Sequence, residues 1–183
     1  MAQTDLTIAG VGGQGSILAG VILGSAAVTF DDKYATQTQA YSSELRGGFA
    51  AAWVIVSDEP IEFPRVTQPD ILVAQAQDSI NRFGEVLTPD GILIVDSDMV
   101  HETPPKVKHL YKVPATTIAR NEIKIAVAAN MIMLGALCKI SEVVSRQALE
   151  QAIKNAVPRG KEDMNIEAFT LGFEQVTELK SIG

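Results

Sequence analysis

Apolar residues fall in short runs along this chain, and the intervals between them set its plan. Leu6–Val11 reads as a short buried strand, and Gln14–Phe30 as a helix rich in small and aliphatic residues. Phe49–Ser57 (FAAAWVIVS) predicts a second strand, and Ile71–Gln75 (ILVAQ), announced by Pro69-Asp70, a third. Asp78–Val86 has helical spacing and stops at the turn Thr88–Gly91 (TPDG). Ile92–Asp96 predicts a fourth strand and His109–Val113 a fifth. Thr117 is placed to cap a long helix through about Ile140, with further helices near Ser145–Ala156 and Lys161–Glu178. Short apolar runs separated by helical segments predict a mostly parallel, doubly wound α/β sheet of Rossmann-like type, with helices on both faces. We expect residues 1–183 to form a single domain.

The stretch EIKIAVAANMIMLGALCKI is apolar on nearly every side, which predicts a helix buried all round. Such a helix either crosses the middle of the domain or presses one side against another subunit. Asn130 within it needs a hydrogen-bond partner, and a neighbouring backbone is the expected one. Apolar residues make up 46% of the 183, yet no run reaches the roughly 20 a membrane span needs. The opening MAQTDLTIAG has no basic start and no cleavage pattern, so the expected location is cytoplasmic. A formal charge of −7 speaks against nucleic-acid binding. The sole cysteine, Cys138, leaves no disulfide framework and no all-protein iron–sulfur or zinc-thiolate site. It is expected to be a small buried apolar residue. His101 and His109 have no acids or cysteines at ligand spacing, so we expect no metal site.

Gly10, Gly12 and Gly15 form G-x-G-x-x-G between a predicted strand and a predicted helix. Glycine permits the tight turn and lets backbone N–H groups approach a phosphate at the helix N-terminus. With Gly13, Gln14 and Ser16 this loop is the candidate ligand site; the alternative is that its glycines only seat the helix close to the sheet. An NAD site would want an acid about 20 residues beyond the loop, ending the second strand. Asp58 and Glu59 come too late for that, and Asp31 and Asp32 lie on the turn after the helix. No Walker lysine accompanies Gly15, because Gln14 and Ser16 flank it. Asp96 and Asp98 follow a strand, where ligand clefts of α/β sheets open, although two such acids are expected rather to cap the next element. Trp53 is expected to pack in the core or at an interface.

The connector DDKYATQTQAYSSELRGG stands where a second strand would begin. Within it, Arg46 offers a planar guanidinium suited to phosphate or carboxylate, and Gly47 and Gly48 leave the backbone uncovered. Alternatively, Arg46 pairs with Glu44 ahead of a glycine turn. In order along the chain, GVGGQG, QAYSSELRGG, VIVSDEPI, PDILVAQ, LTPDGILIVDSD and NMIMLGAL resemble the gamma-subunit family of 2-oxoacid:ferredoxin oxidoreductases. Ser42-Ser43 departs from the Gly-Pro or similar pair usual in that family after the tyrosine; Glu44, Arg46, Gly47 and Gly48 hold their places.

The resemblance implies an accessory subunit with no catalytic residues of its own. It implies a complex that oxidatively decarboxylates a 2-oxoacid to an acyl-CoA, with 2-oxoglutarate expected ahead of pyruvate and branched-chain or aryl 2-oxoacids. Thiamine diphosphate, Mg and iron–sulfur clusters are implied on partner subunits (alpha, beta and a ferredoxin-like delta chain), with ferredoxin as acceptor. Coenzyme A is then the ligand to propose for the glycine loop with Glu44, Arg46, Gly47 and Gly48. A homodimer is the expected form of the isolated chain. The competing readings are a free-standing nucleotide-binding dehydrogenase and a pure assembly subunit with no ligand.

Overall fold

The computed structural model describes residues 3–42 and 48–180. Its strands are β1 (Gln3–Val11), β2 (Tyr34–Tyr41), β3 (Phe49–Ser57), β4 (Ile71–Ala74), β5 (Ile92–Asp96), β6 (His109–Val113) and β7 (Thr177–Lys180). They share a seven-stranded sheet in the order β2-β3-β1-β4-β5-β6-β7. β1, β4, β5 and β6 pair in parallel, the expected doubly wound centre. β3 runs antiparallel between β2 and β1, and β7 antiparallel beside β6. The central strands are short aliphatic runs because helices and loops cover both their sides; every residue of β4 is buried.

The stretch Tyr34–Tyr41, expected as a connector, is instead strand β2, in a hairpin with β3. None of its positions is buried, so a two-residue alternation never shows. Backbone pairing to β3, rather than an apolar face, holds it in place.

Helices α1 (Ser16–Phe30), α4 (Ala129–Ser141), α5 (Arg146–Ala156) and α6 (Glu162–Gln175) build the larger core with Leu6, Ile8, Val54, Val73 and Ile94. On the opposite face, α2 (Gln77–Phe83) covers a smaller core of Leu72, Ala74, Leu93 and Val95. Asp31, after α1, accepts at 2.6 Å from both the amide and the hydroxyl of Ser145, the N-cap of α5. It therefore serves the start of a helix and not a ribose.

The long helix expected from Thr117 to Ile140 is broken. Its first part is the single turn α3 (Ala115–Ile118) followed by a π turn over Ala119–Ile123, which ends at Lys124 in the left-handed region (φ 65°). The amides of Lys124 and Ile125 both close on the Ala119 carbonyl. Thr116, Thr117, Ile118, Ile123 and Ile125 are β-branched and favour helix weakly, so an apolar run alone did not guarantee continuity.

From Asn130 to Cys138 every residue of α4 is buried. This chain's own α6 covers the side that a partner subunit could have taken, which decides for the central helix. A Cβ on Gly135 would run into the Phe169 carbonyl, and one on Gly172 into the Ile132 carbonyl. The two backbones touch there. Cys138, 3% exposed, is a small apolar residue farther along α4 whose thiol faces the Val144 carbonyl, and burial pushes that thiol up to about 11. Among the described residues no helix is long and apolar enough to cross a membrane.

Gly135→Ala should therefore lower the free energy of unfolding by at least about 3 kcal/mol, since neither carbonyl nor helix can yield cheaply. Gly24→Ala, in α1 with open space around its α-carbon, should raise it by up to about 1 kcal/mol. Urea titration of both variants checks the pair, and equal effects would refute the contact's role.

Candidate functional site

The chain changes direction across the sheet between β1 and β4. α1 leads from β1 toward β2 and β3, whereas β4, β5 and β6 extend the other way. In open α/β sheets the crevice at such a point, beyond the carboxyl ends of the strands, is where ligands bind. Here three side chains bridge it. Gln14 accepts from the Val11 amide (2.7 Å) and donates to the Gln75 carbonyl (2.9 Å). The Ser16 hydroxyl donates to the Gln75 side-chain oxygen (2.6 Å), and the Gln75 amide bonds the Ala9 carbonyl (2.8 Å). Gln75 is 3% and Ser16 1% exposed, so these bonds satisfy groups that water cannot reach.

The glycines then divide by task. Gly10 lies under the converging Gln14, Ser16 and Gln75 side chains, which leave no room for a Cβ. Gly15 (φ 77°) begins α1, and its carbonyl accepts from Asn130 Nδ2 at 3.4 Å, the backbone partner expected for that asparagine. Gly13 (φ 93°) has open space around its α-carbon and lines a cleft of about 340 Å³. The Gly12 amide is committed to the Gly48 carbonyl (2.7 Å) and the Gln14 amide to the Val11 carbonyl. The amides of Gly13, Gly15 and Ser16 have no acceptor among the described residues. The same Gly12–Gly48 bond draws the end of the β2–β3 hairpin beside the loop. Of the other expected site residues, Glu44, Arg46 and Gly47 lie outside the described residues.

Across the cleft stand Arg120, on the π turn, and Asp96, at the end of β5. Arg120 is exposed and has no ion pair among the described residues. Asp96 is 2% exposed; its carboxylate accepts from the Thr116 hydroxyl (2.6 Å) and the Asp98 amide (3.1 Å). Burial raises its pKa, and these hydrogen bonds pull it partly back. Asp98 in turn accepts from the Thr117 amide (2.6 Å), so Asp98 and not Thr117 serves the start of this helical segment. Met99, Val127 and Met133 add an apolar wall. The cleft thus offers the Gly13 amide and one guanidinium to an anion, beside a surface for a chain of methylenes.

Residues 5–175 match the family of pyruvate ferredoxin/flavodoxin oxidoreductases. The chain belongs to that family. Among members of the family, the 2-oxoglutarate synthase subunit KorC of Methanocaldococcus jannaschii is 45% identical over 179 residues, covering 97% of this chain and 96% of that protein. The gamma subunit of keto/oxoacid ferredoxin oxidoreductase from Geobacter sulfurreducens PCA superposes with a TM-score of 0.86 at 36% identity, over 96% of this chain and 97% of that one. The fold also recurs, with a TM-score of 0.81 at 23% identity, in 2-oxoglutarate:ferredoxin oxidoreductase from Magnetococcus marinus, solved with 2-oxoglutarate, coenzyme A and succinyl-CoA bound. There it covers 94% of this chain and 31% of that one.

Gln75 and Arg120 were not among the expected site residues of this family member. Gln75 had a signal, being a polar residue directly after four buried aliphatic ones. Arg120 had a fainter one, as the sole cation in the run VPATTIARNEI.

Because the folded pKa of Asp96 is raised, the fold holds a proton there at pH values where the unfolded chain has released it. Its contribution to stability is full below the unfolded value near 3.9 and is lost as pH rises through the folded one. Carboxyl ¹³C titration should place the Asp96 midpoint above 3.9. Thr116→Val, which removes a donor to the carboxylate, should move it higher still; a downward shift would contradict the assignment.

Proposed function

We propose that this chain is the gamma subunit of a 2-oxoglutarate:ferredoxin oxidoreductase, and that its glycine-loop cleft receives the phosphate-bearing end of coenzyme A. The observation that carries the first part is identity to KorC along nearly the whole of both chains. In this reading partner subunits bear thiamine diphosphate, Mg and the iron–sulfur clusters, since a single cysteine cannot ligate a cluster. The thiamine-bearing partner supplies the decarboxylation chemistry, and electrons leave through the clusters to ferredoxin.

The second part rests on the donor set. Gly13 lines the cleft with its amide free of any acceptor among the described residues, just ahead of the N-terminus of α1, where the helix dipole favours negative charge. Arg120 adds a fixed positive charge across the cleft. At about 340 Å³ the cleft is smaller than coenzyme A, so it suits one end of the molecule, with the remainder running out over exposed Val127 or toward the hairpin that carries Arg46. Gln14, Ser16 and Gln75 hold the loop before any ligand arrives, so little ordering remains to be done on binding. Asp96 does not contact the anion in this arrangement; its bonds to Thr116 and Asp98 hold the start of the segment that carries Arg120.

The assembled complex tests this. Arg120→Ala should raise the KM for coenzyme A about tenfold while leaving turnover at saturating coenzyme A and subunit composition unchanged. Arg46→Ala should act in the same direction, and Gly13→Val should abolish saturation by coenzyme A. An unchanged KM in all of them would leave the chain as an assembly element without a ligand.

A further inference from the structure

Helix cover on the α2 side of the sheet ends at α2. Beyond it, Thr7 of β1, Trp53 of β3 and Thr38 of β2 stand in one row across adjacent strands, in register with one another. With Arg65, Arg82 and Phe83 they line a hollow of about 470 Å³ that shares no lining residue with the glycine-loop cleft. Thr7 is 1% exposed, yet its hydroxyl has no hydrogen-bond partner among the described residues. Buried hydroxyls are rarely left so. This one lines a cavity that could bring it a partner.

The charges around it are uneven. Arg82 is fixed by an ion pair to Asp78 (2.6 Å) and by stacking over the Phe49 ring at 4.4 Å. Arg65 is exposed and has no ion pair among the described residues, although it also lines the adjoining hollow with Asp5, Glu59 and Glu62. The lining of the hollow itself holds two guanidinium groups and no carboxylate, and with Arg82 engaged by Asp78 only Arg65 is left to meet an anion, which suits one carboxylate better than a doubly charged phosphate. Trp53 and Phe83, packed edge to face at 6.0 Å, supply an apolar wall beside it.

We infer that this hollow is a carboxylate-binding site in which Arg65 meets the charge, the Thr7 hydroxyl donates to a carboxylate oxygen, and Trp53 packs on the ligand's apolar body. The carboxylate belongs either to a short free acid or to an aspartate or glutamate side chain of a partner subunit. The inference is independent of the coenzyme A reading, since the two sites share no residue.

Trp53 is the chain's only tryptophan, so its emission reports on this hollow directly. Titrating the full chain with succinate at constant ionic strength should give a saturable change that succinamide does not reproduce. Arg65→Gln should raise the half-saturation concentration at least about tenfold, and Thr7→Val should raise it less. Co-expression with the partner subunits separates the two sources. If a partner's side chain is the ligand, Arg65→Glu loses assembly; if a free acid is, assembly persists and only the succinate response goes. A succinate response that is absent or unchanged in Arg65→Gln, with Arg65→Glu assembling normally, would overturn the site. So would a response unchanged in Arg65→Gln even where assembly fails.

Discussion

The contact between α4 and α6 at Gly135 and Gly172 governs how deep α4 can lie. Two helices usually stand 8–10 Å apart, held off by their side chains. Here each backbone meets a carbonyl of the other, and α4 sinks until all residues from Asn130 to Cys138 are buried. That depth brings Asn130 against Gly15, where its amide reaches the first carbonyl of α1 and fills the space a side chain would need. The glycine loop is thus wedged between a helix and a strand end, and its open side is left at Gly13. A wider helix pair would withdraw Asn130, and the loop's turn would lose its support.

The loop's polar bonds do a second job. Gln14, Ser16 and Gln75 span the point where the chain changes direction, tying the glycine loop and the start of α1 to the end of β4, just beyond the backbone pairing of β1 with β4. The cleft is then rigid on one wall and built from a π turn on the other, with Arg120 carried by the irregular segment. Widened turns of this kind recur at functional sites because they re-aim a side chain.

What could be read in the sequence follows from what each element is stabilised by. β3 and β5 had the boundaries expected of them, since burial writes itself as aliphatic runs; β6, of which only Val113 is buried, had them through its alternation of apolar and polar residues. β2 was hidden because it rests on backbone bonds, which Tyr, Thr, Gln and Ala make as well as other residues do. The segment from Thr116 to Ala128 misled for the opposite reason: it is apolar enough to resemble a helix, but β-branched residues and a left-handed Lys124 break it. The glycine loop was legible as a tight turn between strand and helix, although the Gly12 amide, which was expected to face a ligand, is bonded to Gly48. Gln75 and Arg120 join the cleft only through the fold, as no spacing rule links residue 75 or 120 to residue 13.

The bond from Asn130 to Gly15 spans 115 positions, and the helix that pins Asn130 in place ends only at Gln175. During synthesis this loop therefore waits for a helix made much later in the chain before it is finished. Until α6 emerges, α4 has the sheet and its earlier helices to lie on, but the side that meets Phe169 and Gly172 stays open to chaperones or to neighbouring nascent chains. The turn beside the crevice is therefore finished only when α6 has folded onto α4, so a chain without α6 would carry the glycines but not the wedge that holds them.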